Sequence, residues 1–359
     1  MSRTLYLILE NGTVFEGKSF GAERETLGEL VFTTSMTGYL ETITDQSYYG
    51  QVVLQTFPLI GNYGVITPEL LCDTPALNGY IVREWCQEPS NFRCEGELDT
   101  FLKKLNVPGI YGIDTRALTK ILRENGVMNC KFSFSSEVTD EILNEIKNYK
   151  ITDAVKNTTT KEIKKFETEN AKFNVVIVDF GAVSKMEKEL LNRGCNVTIV
   201  PADTKAEDVK AMKPDGIVIS NGAGNPSENS EAVEEIKKLF EYNIPMFGIC
   251  LGHQLIALSQ GAKTEKLKHG HRGASQPAKE ISTGRVFITS QNHGYTVVND
   301  SLPQNSQLSF VNSNDATCEG IKYLDKPVFS VQFIPATTGG PQDTGYLFDD
   351  FINLMSKDK

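Results

Sequence analysis

The stretch Asn174–Asp179 reads N-V-V-I-V-D, an apolar run with no polar alternation. A strand of that kind is covered on both faces, which happens in parallel sheets flanked by helices. The run opens an alternation of strand and helix signals. Ser184–Asn192 reads as a short helix ended by Gly194, Asn196–Val200 as a strand and Ala206–Met212 as a helix. Asp215–Ser220 is the next strand, and Glu231–Tyr242 the next helix, with Val233, Ile236 and Phe240 on one face. Ile244–Ile249 and Leu251–Ser259 complete the series as strand and helix. Strands separated by helices of this length predict an α/β fold with a doubly wound, mostly parallel sheet. Ligands in such folds sit at the carboxyl ends of the strands.

The preceding half has a different texture. Leu5–Glu10 and Thr13–Gly17 flank Asn11-Gly12, a dipeptide suited to a two-residue hairpin turn. From Thr33 to Asn62, Gly, Thr, Ser and Tyr are dense, which reads as strands and turns. Near Asp114 the period changes: Asp114 can cap a helix with Ala117, Leu118, Ile121 and Leu122 on its apolar face, and Gly126 can end it. This half is therefore expected to be mixed and β-rich. Lys156–Lys172 is polar and charged with almost no apolar anchor. The expected division is an N-terminal domain over 1–153, a linker over 154–172 and the α/β domain over 173–359.

A chain of 359 residues suits two domains. Its net charge is −10, from 36 basic and 46 acidic residues. That balance would repel a phosphate backbone or an anionic lipid surface, so nucleic-acid and membrane roles are not expected. No apolar run approaches the ~18 residues that cross a bilayer, and Leu5 to Leu9 is too short for a signal-peptide core. Seven scattered cysteines, Cys72, Cys86, Cys94, Cys130, Cys195, Cys250 and Cys318, contain no CxxC pair. The expectation is a reducing cytoplasm, no metal ligand set, and at most one thiol with a chemical task.

That thiol is Cys250, in Gly248-Ile249-Cys250-Leu251-Gly252-His253-Gln254. A buried strand runs into a helix with the cysteine at the corner, and glycines two before and two after permit a tight strained turn. The pattern is a nucleophile elbow with thiol in place of hydroxyl. The helix N-terminus favours thiolate, and the Leu251 amide points toward an oxyanion formed when sulfur attacks a carbonyl. The competing reading is a buried structural cysteine. A second corner, Ser220-Asn221-Gly222-Ala223-Gly224-Asn225-Pro226, follows the neighbouring strand. Alone it is only a loop. Beside the first corner, Gly222 could supply a second amide donor. It is no phosphate-binding P-loop, because it lacks the Gly-Lys-Ser/Thr ending.

Together, G-I-C-L-G-H-Q and S-N-G-x-G resemble the class I glutamine amidotransferases. Ser290-Gln291-Asn292-His293-Gly294-Tyr295 resembles that family's glutamine-holding segment, and Gly270-His271-Arg272-Gly273-Ala274 the loop before it. In the first half, Gly12–Gly17, Thr34–Tyr39 and Gly112–Leu118 resemble the small chain of carbamoyl phosphate synthetase, so the likeness covers almost the whole chain. The resemblance implies a small chain that hydrolyses glutamine and passes ammonia to a large partner chain, which uses ATP, Mg and bicarbonate; no cofactor is expected here. It implies Cys250 as nucleophile, Leu251 and Gly222 at the oxyanion site, and Ser47, Gly224, Gln254, Asn292, Gly294 and Tyr295 at glutamine.

One segment departs from the family. After the strand Pro327–Phe333 the usual H-P-E is Ile334-Pro335-Ala336, within matching flanks. Ile334 stands at the position of the general-base histidine and Ala336 at that of the carboxylate that orients it. Neither can move a proton, and acid–base help is typically worth about 10²–10⁴-fold. The chain has four histidines, His253, His269, His271 and His293. Further departures are Ala223 and Asn225 for the usual Pro and Asp, and Val183 and Lys185 for Lys and Asn. Three readings stay open: a small chain with impaired hydrolysis, a working glutaminase using an unusual base such as His293, and a non-catalytic glutamine-sensing or structural subunit.

Overall fold

A computed structural model of the chain describes residues 2–181, 185–336 and 340–357. The family departure at Val183 and the expected start of a helix at Ser184 lie outside the described residues. The chain divides into two compact units, Met1–Thr152 and Asp153–Lys359.

The first unit contains strands β1 (Thr4–Leu9), β2 (Val14–Gly21) and β3 (Thr26–Thr33), helix α1 (Tyr39–Thr44), then β4 (Gln51–Gln55), β5 (Leu59–Ile60), β6 (Gly79–Val82) and β7 (Glu84–Trp85). Helix α2 (Leu98–Lys104), β8 (Pro108–Tyr111), α3 (Thr115–Asn125), β9 (Met128–Ser133) and α4 (Asp140–Lys147) follow. Seven strands close into a barrel in the order β1-β2-β8-β6-β4-β3-β9, and β5 and β7 form a separate pair. Successive residues alternate between two apolar clusters: Val53, Tyr80 and Val82 enter one, while Val52, Leu54 and Ile81 enter the other. The period of two along each strand thus buries both faces of the barrel wall.

Two local expectations change. The β1–β2 turn has one positive φ, at Gly12 (84°), not two. Gly12 N–H donates to Leu9 O and Leu9 N–H to Thr13 O, at 2.9 Å each, so the loop is one residue longer, with the glycine in the bulge position. Within Thr33–Asn62, Tyr39–Thr44 is helical. Thr42 and Thr44 donate their hydroxyls to the carbonyls of Gly38 and Leu40 at 3.1 and 2.7 Å, and Leu40 and Ile43 are fully buried. Burial outweighs the weak helix propensity of these β-branched residues. The expected helix at Asp114 is α3; Asp114 Oδ1 accepts from Ala117 N–H at 3.0 Å, and Gly126 closes it at φ 94°.

The second unit begins with α5 (Ala154–Thr158) and β10 (Lys164–Phe166), followed by β11 (Phe173–Phe180), α6 (Met186–Leu191), β12 (Cys195–Pro201), α7 (Ala206–Ala211), β13 (Gly216–Gly222) and α8 (Ser230–Glu241). Next come β14 (Met246–Ile249), α9 (Leu251–Ser259), β15 (Thr264–Glu280), β16 (Val286–Val297), β17 (Ser306–Asn312), β18 (Cys318–Tyr323), β19 (Val328–Val331) and α10 (Tyr346–Lys357). The sheet runs β10-β12-β11-β13-β14-β19-β18-β17-β15-β16. Its centre, β12-β11-β13-β14-β19, is parallel, and the strands added on either side pair antiparallel. Along β11, Val176 and Val178 enter one apolar cluster and Val175 and Ile177 the other, so both faces are covered.

The stretch read as a linker, 154–172, contains α5 and β10, and β10 pairs with β12. Its polar residues are spent on strand ends: Thr159 Oγ1 donates to Asp179 O at 2.6 Å, Thr160 N–H to Asp179 Oδ2 at 2.7 Å, and Ala202 N–H to Thr159 Oγ1 at 3.0 Å. No helix among the described residues is long and apolar enough to cross a membrane.

Candidate functional site

Strand β14 is wholly buried and ends at Ile249; Cys250 then turns the chain into α9. The corner holds Cys250 at φ 53° and ψ −104°, a conformation that costs a side-chain-bearing residue about 1–3 kcal/mol. The flanking glycines explain why it can form. A Cβ on Gly252 would collide with the Ile219 carbonyl oxygen, and one on Gly248 would lie 2.5 Å from Ile256 Cδ1. Cys250 N–H donates to Val331 O at 2.8 Å, tying the corner to β19. The first-turn amides of α9, starting with Leu251, have no partner within the helix. This is the elbow expected from the sequence.

Cys250 is 2% exposed. Its thiol donates to Asn292 O at 3.7 Å, and Gln332 Nε2 donates to its Sγ at 3.6 Å. Gln332 is held in turn by Gln254, whose Nε2 donates to Gln332 Oε1 at 2.9 Å and to Tyr295 O at 2.7 Å. A chain of buried amides therefore joins α9, β16 and the end of β19 around the sulfur. Gly222 belongs to the same neighbourhood, since a Cβ there would meet Phe180 O and come within 2.9 Å of Leu251 Cδ2. Beside it, buried Asn221 Oδ1 has no hydrogen-bond partner among the described residues.

The structure thus gathers Cys250, Leu251, Gly222, Gln254, Asn292 and Tyr295. Gly224, at φ 91°, begins the next loop and lies against Ala154, leaving no room for a side chain. Gly294 faces the Arg272 guanidinium, with 3.1 Å between a built Cβ and Nη2. Ser47 belongs to the N-terminal unit, in a short turn over Gln46–Tyr48; its N–H donates to Asp45 Oδ1 at 2.9 Å, and its buried hydroxyl has no partner among the described residues. Gln332 was the residue that sequence reading passed over. The only signal for it was its place in F-S-V-Q-F, two positions ahead of the altered segment.

Ile334 continues the chain beyond Gln332 and bridges to Ser290, its N–H donating to Ser290 O at 3.0 Å. It is half-buried, and Ala336 packs at the edge of the apolar cluster that includes Cys250. Of the histidines, His253 directs Nδ1 to Ser330 Oγ at 2.8 Å and Nε2 to Cys318 Sγ at 3.8 Å. Burial pulls its pKa down to about 3. His293 places Nδ1 2.8 Å from Tyr295 O and Nε2 3.0 Å from Gln291 Oε1. Burial, helped by His271 and Arg272 nearby, holds it well below its ordinary value. His271 lies 2.8 Å from Asp315 Oδ2, and half-buried His269 has Nδ1 3.2 Å from Gly270 O. The ring nitrogens of His253 and His293 thus face groups other than the Cys250 sulfur.

Residues 7–132 match the family model for the carbamoyl-phosphate synthase small chain, CPSase domain, and residues 176–354 match the model for glutamine amidotransferase class-I. The chain is 49% identical over 346 residues to the carbamoyl phosphate synthase small chain of Clostridium perfringens, covering 96% of this chain and 98% of that one. It is 45% identical over 361 residues to the protein of the same name in Lactococcus lactis subsp. lactis, covering all of both. Among solved structures, a putative GMP synthase component from Thermoplasma acidophilum is similar at 25% identity and TM-score 0.47, over 52% of this chain and 94% of that chain.

Proposed function

The chain belongs to the carbamoyl-phosphate synthase small chain family, and from that membership we propose that it binds glutamine and supports a large, ATP-using partner chain while hydrolysing glutamine slowly or not at all. The observation that carries this reading is at Cys250. The sulfur is presented on an intact elbow, yet Ile334 and Ala336 stand where the relatives' pattern places a base and its orienting carboxylate, and the side chain donating to the sulfur is the Gln332 amide. An amide neither accepts the thiol proton nor returns one to a leaving amine at neutral pH.

The residues around the elbow support retained binding. Gln254, Asn292 and Tyr295 are joined to it, and Asn221 keeps a buried oxygen with no partner among the described residues. Such oxygens are costly unless something meets them. Glutamine, with an ammonium, a carboxylate and an amide, can do so. ATP, Mg and bicarbonate would belong to the large chain, which in this reading draws on free ammonia.

The test is glutamate release from glutamine with the large chain present, alongside calorimetry of glutamine binding. Binding with negligible release is expected. Turnover near an ordinary enzyme's pace of about 10 s⁻¹ would refute the reading.

A further inference from the structure

Three buried ligating side chains meet on the antiparallel side of the second unit's sheet. His271 on β15 pairs across the ladder with His293 on β16, and Glu319 lies on β18. One atom from each lies within 4.8 Å of the other two.

Hydrogen-bond accounting shows that lone pairs converge there. His271 Nε2 sits 2.8 Å from Asp315 Oδ2. A carboxylate only accepts, so Nε2 carries a proton, and in the neutral ring Nδ1 carries a lone pair. That Nδ1 is buried, has no hydrogen-bond partner among the described residues, and lies 3.6 Å from Glu319 Oε1. His293 Nδ1 faces the Tyr295 carbonyl at 2.8 Å, so its proton is on Nδ1 and Nε2 carries the lone pair. Facing Nε2 at 3.0 Å is Gln291 Oε1, because the Gln291 amino group is committed to Glu319 Oε2 at 2.9 Å and Thr289 Oγ1 at 3.1 Å. Among the described residues Glu319 Oε1 accepts one bond, from Asn312 Nδ2 at 3.0 Å, which leaves a lone pair.

Buried acceptors that face one another need a donor or a positive charge between them. A proton is a poor fit, since 3.6 Å is too long for a hydrogen bond. It is close to the roughly 3.4 Å that separates two ligands across a tetrahedral zinc with bonds near 2.1 Å. Each imidazole also has its far nitrogen anchored on an acceptor, a carboxylate for His271 and a carbonyl for His293, the support that metal-bound histidines use. We propose that His271, His293 and Glu319 form a binding site for a divalent transition-metal ion of the zinc type, with Gln291 Oε1 as a fourth ligand. Two neutral rings and a carboxylate suit zinc in type and number. Glu319 and Asp315 together balance a 2+ charge and offset the repulsion of neighbouring Arg272. The ion would clamp β15, β16 and β18, and so stiffen the segment that carries Asn292 and Tyr295.

The full chain, stripped with a chelator, is equilibrated with zinc, desalted and assayed for metal, with affinity read by competition against a chromophoric chelator. One zinc per chain is expected. Glu319→Gln and His271→Gln should lose it, Asp315→Asn should weaken it about 10–100-fold, and a Cys250→Ser, Cys318→Ser chain should retain it. X-ray absorption on the zinc-loaded wild-type chain should show nitrogen and oxygen neighbours only, which decides the matter even if a variant fails to fold. No retained zinc, sulfur among its neighbours, or unchanged affinity in both Glu319→Gln and His271→Gln would overturn the site.

Discussion

The Gln332 side-chain amide donates to the Cys250 sulfur at 3.6 Å, and its own oxygen is held by Gln254 at 2.9 Å. Its orientation is therefore not free: turning it would set the Gln332 oxygen toward the sulfur and two amino groups against each other. The thiol sits between an amide donor and the Asn292 carbonyl, an arrangement that positions sulfur without offering to deprotonate it.

If the rest of the pocket is intact, restoring the proton machinery should restore hydrolysis. Ile334→His with Ala336→Glu is expected to raise glutamate release by about 10²–10⁴-fold over the native chain. Ala336→Glu alone should do nothing, having no imidazole to orient. A double variant no faster than the native chain would place the defect elsewhere.

Gln332→Leu removes the donor to sulfur and leaves one N–H of the buried Gln254 amino group without its acceptor, the other still donating to Tyr295 O. An unsatisfied buried group costs about 1–3 kcal/mol. Chemical denaturation should show a loss of that size. A change under about 0.5 kcal/mol would mean the amide chain contributes little.

Gly252→Ala should be costlier than its single methyl suggests. The new Cβ meets a backbone carbonyl, that of Ile219, which cannot rotate aside. Overpacking of this kind costs about 1–3 kcal/mol, and the expected result is a lower denaturation midpoint with weaker glutamine binding. Gly261→Ala, on an open surface, is the control for alanine at a glycine site, although its φ of +87° adds strain of its own.

Acid should destabilise the second unit through His253. Its folded pKa, about 3, lies below the ordinary 6.5 because the ring is buried. The unfolded chain then binds the proton more readily, so this contribution is complete above pH 6.5 and is lost as pH falls toward 3. The slope is at most about 1.4 kcal/mol per pH unit for one proton. His293 is shifted the same way and adds to it. Denaturation of wild type and His253→Asn across that range should give a shallower slope in the variant; parallel slopes would contradict the assignment.

Much of the second unit was legible because its signals are local. N-V-V-I-V-D announces a strand covered on both sides, and glycines at 248 and 252 announce a corner that admits no side chain. What stayed hidden depends on partners distant in sequence. Nothing near Gln332 says that its amide reaches a cysteine 82 residues earlier. Nothing in T-T-T-K-E says that Thr159 and Thr160 are bound to Asp179 and that a strand follows. The helix at Tyr39–Thr44 was masked by residues that favour strands, and is held by the burial of Leu40 and Ile43. Closure of seven strands into a barrel is a property of their pairing, invisible in any one of them.

That closure limits how another protein can engage the N-terminal half. A ring of strands has no first or last member, so its ladder donors and acceptors are already spoken for, the small β5–β7 pair aside. A visitor cannot zip on by contributing a strand of its own. Recognition there must come from side chains, loops and helix surfaces, which makes it sensitive to point changes in the connections and indifferent to the backbone of the hoop.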